Sequence, residues 1–170
     1  RGFERFIQGH PYWEAPVMVQ RLCGICPVSH HLAAAKAINQ IVGLDPGDLS
    51  LPAQKIRKLL HFGQIFQSHA LHFFYLASPD LLFGVNANPQ RRNVTEVAME
   101  YPDIAKKGIL MRKFGQEIIK TIAGKRIHGI SAVPGGVHKK ISLKVFDMVG
   151  QEVKTLINGT DFKKGSHQVV

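Results

Sequence analysis

RLCGICPVSHH, residues 21–31, holds both cysteines of this 170-residue chain, Cys23 and Cys26, at CxxC spacing. Pro27 follows directly, and a proline lacking its N–H suits the first turn of a helix. His30 lies one turn beyond Cys26 on the same face, so it can reach whatever the thiols hold. The alanines from Ala33 to Ala37 continue a helix predicted over 29–42, and Gly43 stops it. Two thiols this close can bind one metal or bridge two. The helix start is expected to lower the pKa of Cys26, and Arg21 adds a positive charge.

Three other readings of the bare CxxC stay open. A structural zinc half-site needs two further ligands, for which His30 and His31 are candidates. A redox-active dithiol wants a strand ahead of the motif, and none is predicted there. A pair of free cysteines needs nothing further.

Working outward, Phe3, Phe6 and Ile7 form one apolar face of a short N-terminal helix, with Glu4 on the other side. Residues 17–19 are a short apolar lead into the cysteines. Beyond Gly43 a turn-rich loop ends at Ser50, a good N-cap before a long helix over 53–77. Its stripe of Ile56, Leu59, Leu60, Gly63, Phe66, His69, Ala70 and Phe73, widened by Leu71 and Phe74, predicts burial on several sides. His61, His69 and His72 read as core or interface histidines. Ser78-Pro79 predicts a break. Further helices are expected over 94–99 and 104–122, and Gly124 ends the last. The segment RIHGISAVPGGVHK (126–139) reads as a tight loop shaped by Gly and Pro. From about residue 140 the period changes to two: Ile141, Leu143 and Val145 alternate with Ser142 and Lys144, then a turn at Val149-Gly150, a strand over 153–157, a turn at Asn158-Gly159 and a strand start at 168–170. The expectation is a mainly α unit over 1–139 and a small C-terminal β segment over 140–170, resembling an incomplete immunoglobulin-like sandwich.

Twenty-two Lys and Arg against 12 Asp and Glu give a formal charge of +10. The basic residues are scattered and no aromatics interleave with them, so a nucleic-acid groove is not indicated. No apolar run reaches membrane-spanning length, and RGFERFIQGHPYW has no secretory h-region. The first residue is not Met, so the chain is expected to begin mid-protein.

Four separated segments then occur in a telling order: RGFERF, RLCGICPVSHHLAAAKA, HFGQIFQSHALHFFYLASPDLLFG, and RKFGQEII with GKRIHG and AVPGGVHK. Together they resemble the large, catalytic subunit of nickel-iron hydrogenases, nearest to the cytoplasmic, bidirectional NAD(P)-linked type, over about residues 1–140. The related quinone-reductase subunit of respiratory complex I lacks the cysteine pair. The resemblance implies a Ni–Fe centre whose iron carries diatomic ligands, with Cys23 as a terminal nickel thiolate and Cys26 bridging nickel and iron. It makes His30 a histidine beside the bridging sulfur, Arg21 a part of the same motif, and Glu4 a carboxylate ligand of a structural magnesium. Pro134, Gly135 and Gly136 match a loop of the family, as does His128. The implied substrate is H2. The implied partners are an iron-sulfur small subunit and a flavin-containing NAD(P) diaphorase module, in the cytoplasm.

The family's second cysteine pair has no counterpart among the 170 residues, so half of the thiolate set is expected to be missing and the chain alone to be inactive. The tail ISLKVFDMVGQEVKTLINGTDFKKGSHQVV (141–170) resembles instead the opening of the β-sandwich sorting domain of proteins exported by the type IX secretion system, which alone would suggest export. A truncated or chimeric reading frame would reconcile the two. A non-enzymatic surface module and a zinc-binding structural protein are the alternatives.

Overall fold

Seven α-helices and two small antiparallel strand pairs make up the described part of a computed structural model, which covers residues 1–138, 143–146 and 152–157. The turns foreseen at Val149-Gly150 and Asn158-Gly159 and the strand foreseen at 168–170 lie outside those residues.

Helix α1 is Gly2–Ile7, and its predicted apolar face is exposed at Phe3 and Phe6. The segment before the cysteines is α2, Ala15–Val19, with a 3-10 turn over Gln20–Leu22. Helix α3 is Pro27–Ile41, two residues longer at its start than expected, because Pro27 itself occupies the first turn. Ser50 caps α4, Leu51–Leu71, its Oγ accepting from Ala53 N at 3.4 Å.

The break expected at Ser78-Pro79 does not occur. The chain continues through a π turn, His72–Ala77, into α5, Ser78–Phe83. Pro79 cannot donate to the carbonyl four residues back, and its ring crowds that carbonyl. A single wide turn absorbs the mismatch without ending the helix. Ser78 Oγ adds a bond to Phe74 O at 2.7 Å. Asn93 then caps α6, Val94–Glu100, and α7 runs over Pro102–Ala123.

The core lies between α4 and α7, with α3 against it. Val28, Ile56, Leu60, Ile119, Ile122 and Ala123 are buried together, and Leu32, Leu59, Ile118 and Val137 pack on them. The two long helices touch backbone to backbone at a glycine pair. A Cβ on Gly115 would lie 2.8 Å from Gln67 Cβ and from Gly63 O. Helices α7 and α3 both cover α4, as expected of a wide stripe, while Phe62 and Phe66 of α4 and Phe73 and Leu76 of the π turn are exposed.

The expected 126–139 loop contains a hairpin, β1 (Ala132–Val133) and β2 (Gly136–Val137). Pro134 and Gly135 form its turn, with Gly135 at φ +82°, as a type II turn demands of its third residue. Arg57 of α4 donates to Val133 O at 2.7 Å and Gly136 O at 2.9 Å, and Gly135 N donates to Asn39 Oδ1 of α3 at 2.9 Å. The second pair is β3, Leu143–Phe146, antiparallel to β4, Glu152–Ile157, with Leu143 opposite Ile157 and two register irregularities.

The glycine contact makes a direct prediction. Gly115→Ala is expected to destabilise the chain by about 1–3 kcal/mol, because α4 and α7 must part to admit the methyl group. Gly47→Ala, with open space around it, is expected to stay within about 0.5 kcal/mol. Denaturant midpoints measure both.

Candidate metal centre

The cysteine turn is built by its own backbone. Ile25 N and Cys26 N both point back at Cys23 Sγ, each at 3.3 Å. Cys26 is the N-cap residue of α3, and Cys26 O accepts from Ser29 N at 3.1 Å. Starting the helix there brings His30 round to the thiols. The ligand atoms of Cys23, Cys26 and His30 all lie within 4.8 Å of one another, all three residues half-buried. Among the described residues this is the one cluster of three or more His, Cys, Asp or Glu that can hold a metal.

The two thiols are unequal. A hydrogen bond from the Cys26 thiol, together with the backbone N–H groups of Cys26 and Ile25, holds Cys23 below the ordinary cysteine value. The same thiol–thiol bond, then burial, pushes Cys26 up. This reverses the expectation that the helix start would acidify Cys26. The donors of the turn converge on the first sulfur, and as N-cap residue Cys26 makes no side-chain cap bond. Two sulfurs and an imidazole converging at this spacing are a soft donor set suited to a thiolate-bound transition metal.

Three supports outside the motif hold the turn. His128, between α7 and β1, donates from Nε2 to Cys23 O at 3.1 Å. It sits at φ +55°, the one non-glycine with positive φ among the described residues. Gln64 Nε2 donates to Ile25 O at 3.0 Å, and Gln67 Nε2 donates to the same carbonyl. His31 is buried behind the site. Its Nδ1 meets Pro16 O at 2.8 Å, while Ala132 N and Ser131 N donate to Nε2 at 3.0 and 3.3 Å. A carbonyl needs a donor and an N–H needs an acceptor, so the ring is the neutral Nδ1–H tautomer. Both nitrogens are therefore used, and His31 is not a metal ligand. Burial, opposed by the Pro16 bond, holds its pKa below the ordinary range, and the nearby Arg57 charge adds to this.

Other expected residues stand apart from the cluster. Arg21 is exposed and donates to Val17 O at 3.2 Å. Glu4 is exposed on α1, 3.7 Å from the N-terminal amine. His61, His69 and His72 are exposed rather than core, and His69 Nδ1 bonds the carbonyl of Ile65 in its own helix. Gln64 and Gln67 carried no functional reading in the sequence. Their signal was two glutamines three apart on the apolar stripe of α4.

Residues 1–109 match the family described as nickel-dependent hydrogenase. The NAD-reducing hydrogenase HoxS subunit beta of Cupriavidus necator is 51% identical over 146 residues, 84% of this chain and 30% of that protein. A chain in the crystal structure of an NAD+-reducing NiFe-hydrogenase in the H2-reduced state superposes with a TM-score of 0.78 at 64% identity, over 84% of this chain and 31% of that one. The Ni-Fe-Se hydrogenase of D. vulgaris Hildenborough, in its as-isolated oxidised state, gives 0.67 at 25% identity, over 84% and 31%. The chain thus spans about a third of the length of the proteins it matches.

Two outcomes are expected of the metal-free chain. Because the folded pKa of His31 is below its ordinary value near 6.5, the unfolded chain takes up the proton first. The stability His31 contributes is present above about pH 6.5 and is lost as pH falls towards the folded pKa, with a slope of at most about 1.4 kcal/mol per pH unit. Urea titrations across that range are expected to show the slope, and His31→Gln to flatten it. Iodoacetamide is expected to alkylate Cys23 at lower pH than Cys26, scored by peptide mass spectrometry; preferential labelling of Cys26 would contradict the assigned asymmetry.

Proposed function

This chain belongs to the nickel-dependent hydrogenase family, and on that premise we propose that it supplies Cys23 and Cys26 as thiolate ligands of the Ni–Fe centre in a hydrogenase large subunit. The observation that carries this is the convergence of the two sulfurs and the His30 imidazole within 4.8 Å at the start of α3. When bound, the metal pair supplies Lewis acidity that makes H2 acidic enough to split heterolytically.

The chain's own residues bind and orient. Cys23, its thiol held below the ordinary cysteine value, would serve as the terminal thiolate and Cys26 as the shared one, as the family resemblance implies, with the His30 ring beside them. Arg21 adds a positive charge to the motif from its exposed place on Val17 O. By the family resemblance, the proton acceptor would be a cysteine of the second pair, which has no counterpart among the 170 residues. Glu4, on the exposed side of α1, offers one carboxylate to a magnesium ion; hard oxygen donors suit that ion.

The relative from Cupriavidus necator is by name a subunit of an NAD-reducing hydrogenase, which supports NAD(P) as the electron acceptor, reached through the iron-sulfur small subunit and flavin module that the family resemblance implies. That acceptor pool supports a cytoplasmic site of action. No helix among the described residues is long and apolar enough to cross a membrane.

A segment exchange tests the proposal. Residues 1–138 of this chain, grafted in place of the matching segment of the Cupriavidus necator subunit, are expected to support H2-dependent NAD reduction. Cys23→Ser or Cys26→Ser in the graft is expected to abolish it, and the 170-residue chain alone to show no H2-dependent dye reduction. Activity surviving either serine substitution, or sustained turnover by the chain alone, overturns the reading.

A further inference from the structure

The Ile25–Cys26 peptide group stands between two sets of partners. On its carbonyl side, Ile25 O accepts from Gln64 Nε2 at 3.0 Å and from Gln67 Nε2. On its amide side, Cys26 N donates to Cys23 Sγ at 3.3 Å. One planar, conjugated unit therefore connects two side chains of α4 to the first sulfur of the cluster. A carbonyl that accepts hydrogen bonds polarises its own amide, and chains of such bonds strengthen one another.

Both glutamines are buried. Their amide nitrogens are committed to this one carbonyl, while the Gln64 and Gln67 Oε1 atoms are buried without a protein partner. A packing role alone would be better served by apolar side chains of the same shape, which leave no oxygen unpaired. The arrangement makes sense as a device aimed at the turn. Gln67 is also fixed in place by the helix contact, since Gly115 lies directly against it.

We infer that Gln64 and Gln67 are positioning residues for the thiolate pair, acting through the Ile25–Cys26 peptide to hold the CxxC turn and to strengthen the N–H bond to Cys23 Sγ. This rests on the metal-centre reading of Cys23 and Cys26. A stronger N–H···S bond withdraws electron density from the sulfur, so loss of the glutamines leaves a more electron-rich thiolate and a looser turn.

The test uses the full 170-residue chain and Co(II) as the probe metal, under anaerobic conditions. The unaltered chain is expected to show a thiolate-to-cobalt charge-transfer band that Cys23→Ser abolishes. The double variant Gln64→Met/Gln67→Met is expected to bind Co(II) about 10–100-fold more weakly, the range for loss of outer partners of metal ligands. Its band is expected to move to lower energy. Each single variant keeps one donor on the carbonyl and is expected to move the band part of the way; these serve if the double variant does not fold. Ile119→Val, a core change away from the turn, controls for lost stability and is expected to keep the original band and affinity. A folded double or single variant with unchanged band and affinity overturns the inference. Failure of the unaltered chain to bind Co(II) through Cys23 overturns the metal-centre reading on which it rests.

Discussion

The backbone contact between Gly63 of α4 and Gly115 of α7 is the constraint on which the rest of the structure depends. Helices normally pack 8–10 Å apart because side chains intervene. Here glycines stand at the contact, and a single added Cβ meets backbone at 2.8 Å. The close approach fixes the rotation of α4 about its own axis. That rotation decides which residues leave the interface sideways: Gln64 and Gln67 towards the cysteine turn, Arg57 towards the β1–β2 hairpin. A helix shifted by one residue would present Ile56 or Lys58 where Arg57 now stands, and Gly63 or Ile65 and Phe66 or Ser68 where the glutamines stand.

The site is then assembled almost wholly from bonds to backbone. His128 holds Cys23 O, the glutamines hold Ile25 O, and His31 ties Pro16 ahead of the motif to Ser131 and Ala132 beyond α7. Few of these bonds touch sulfur. They fix where the chain runs, and the chain places the sulfurs. The adjacent histidines show the division of labour. His30 presents its ring to the thiols, whereas His31, one residue on and about 100° round the helix, is spent on structure.

Much of this was legible in the sequence because it is local. CxxC followed by proline marks a turn and a helix start, Ser50 marks a cap, and Gly124 marks a stop; each is a short-range rule, and each held. What sequence could not resolve is long-range or compensatory. A hydrogen bond between Gln64 and Ile25 spans 39 residues and has no local pattern. The proline at 79 reads as a breaker unless the π turn before it is foreseen. His31 and His30 look alike as ligand candidates until the partners of His31 on both sides are known. The exposed phenylalanines of α4 were read as core because amphipathic width tells how much surface wants cover, not where the cover comes from.

The inequality of the two thiols follows from chain direction. In this turn the N–H groups of the third and fourth positions, Ile25 and Cys26, point back to the first sulfur. The first sulfur is therefore stabilised as an anion by fixed donors. The second, on the N-cap residue of the helix, has its pKa raised by its thiol–thiol bond and by burial more than its one backbone bond lowers it. A terminal ligand needs one lone pair for one metal and tolerates donors on the others. A bridging ligand must give two lone pairs to two metals, and competing N–H bonds would oppose that. That difference in donors is the property of the turn on which the roles proposed for Cys23 and Cys26 draw.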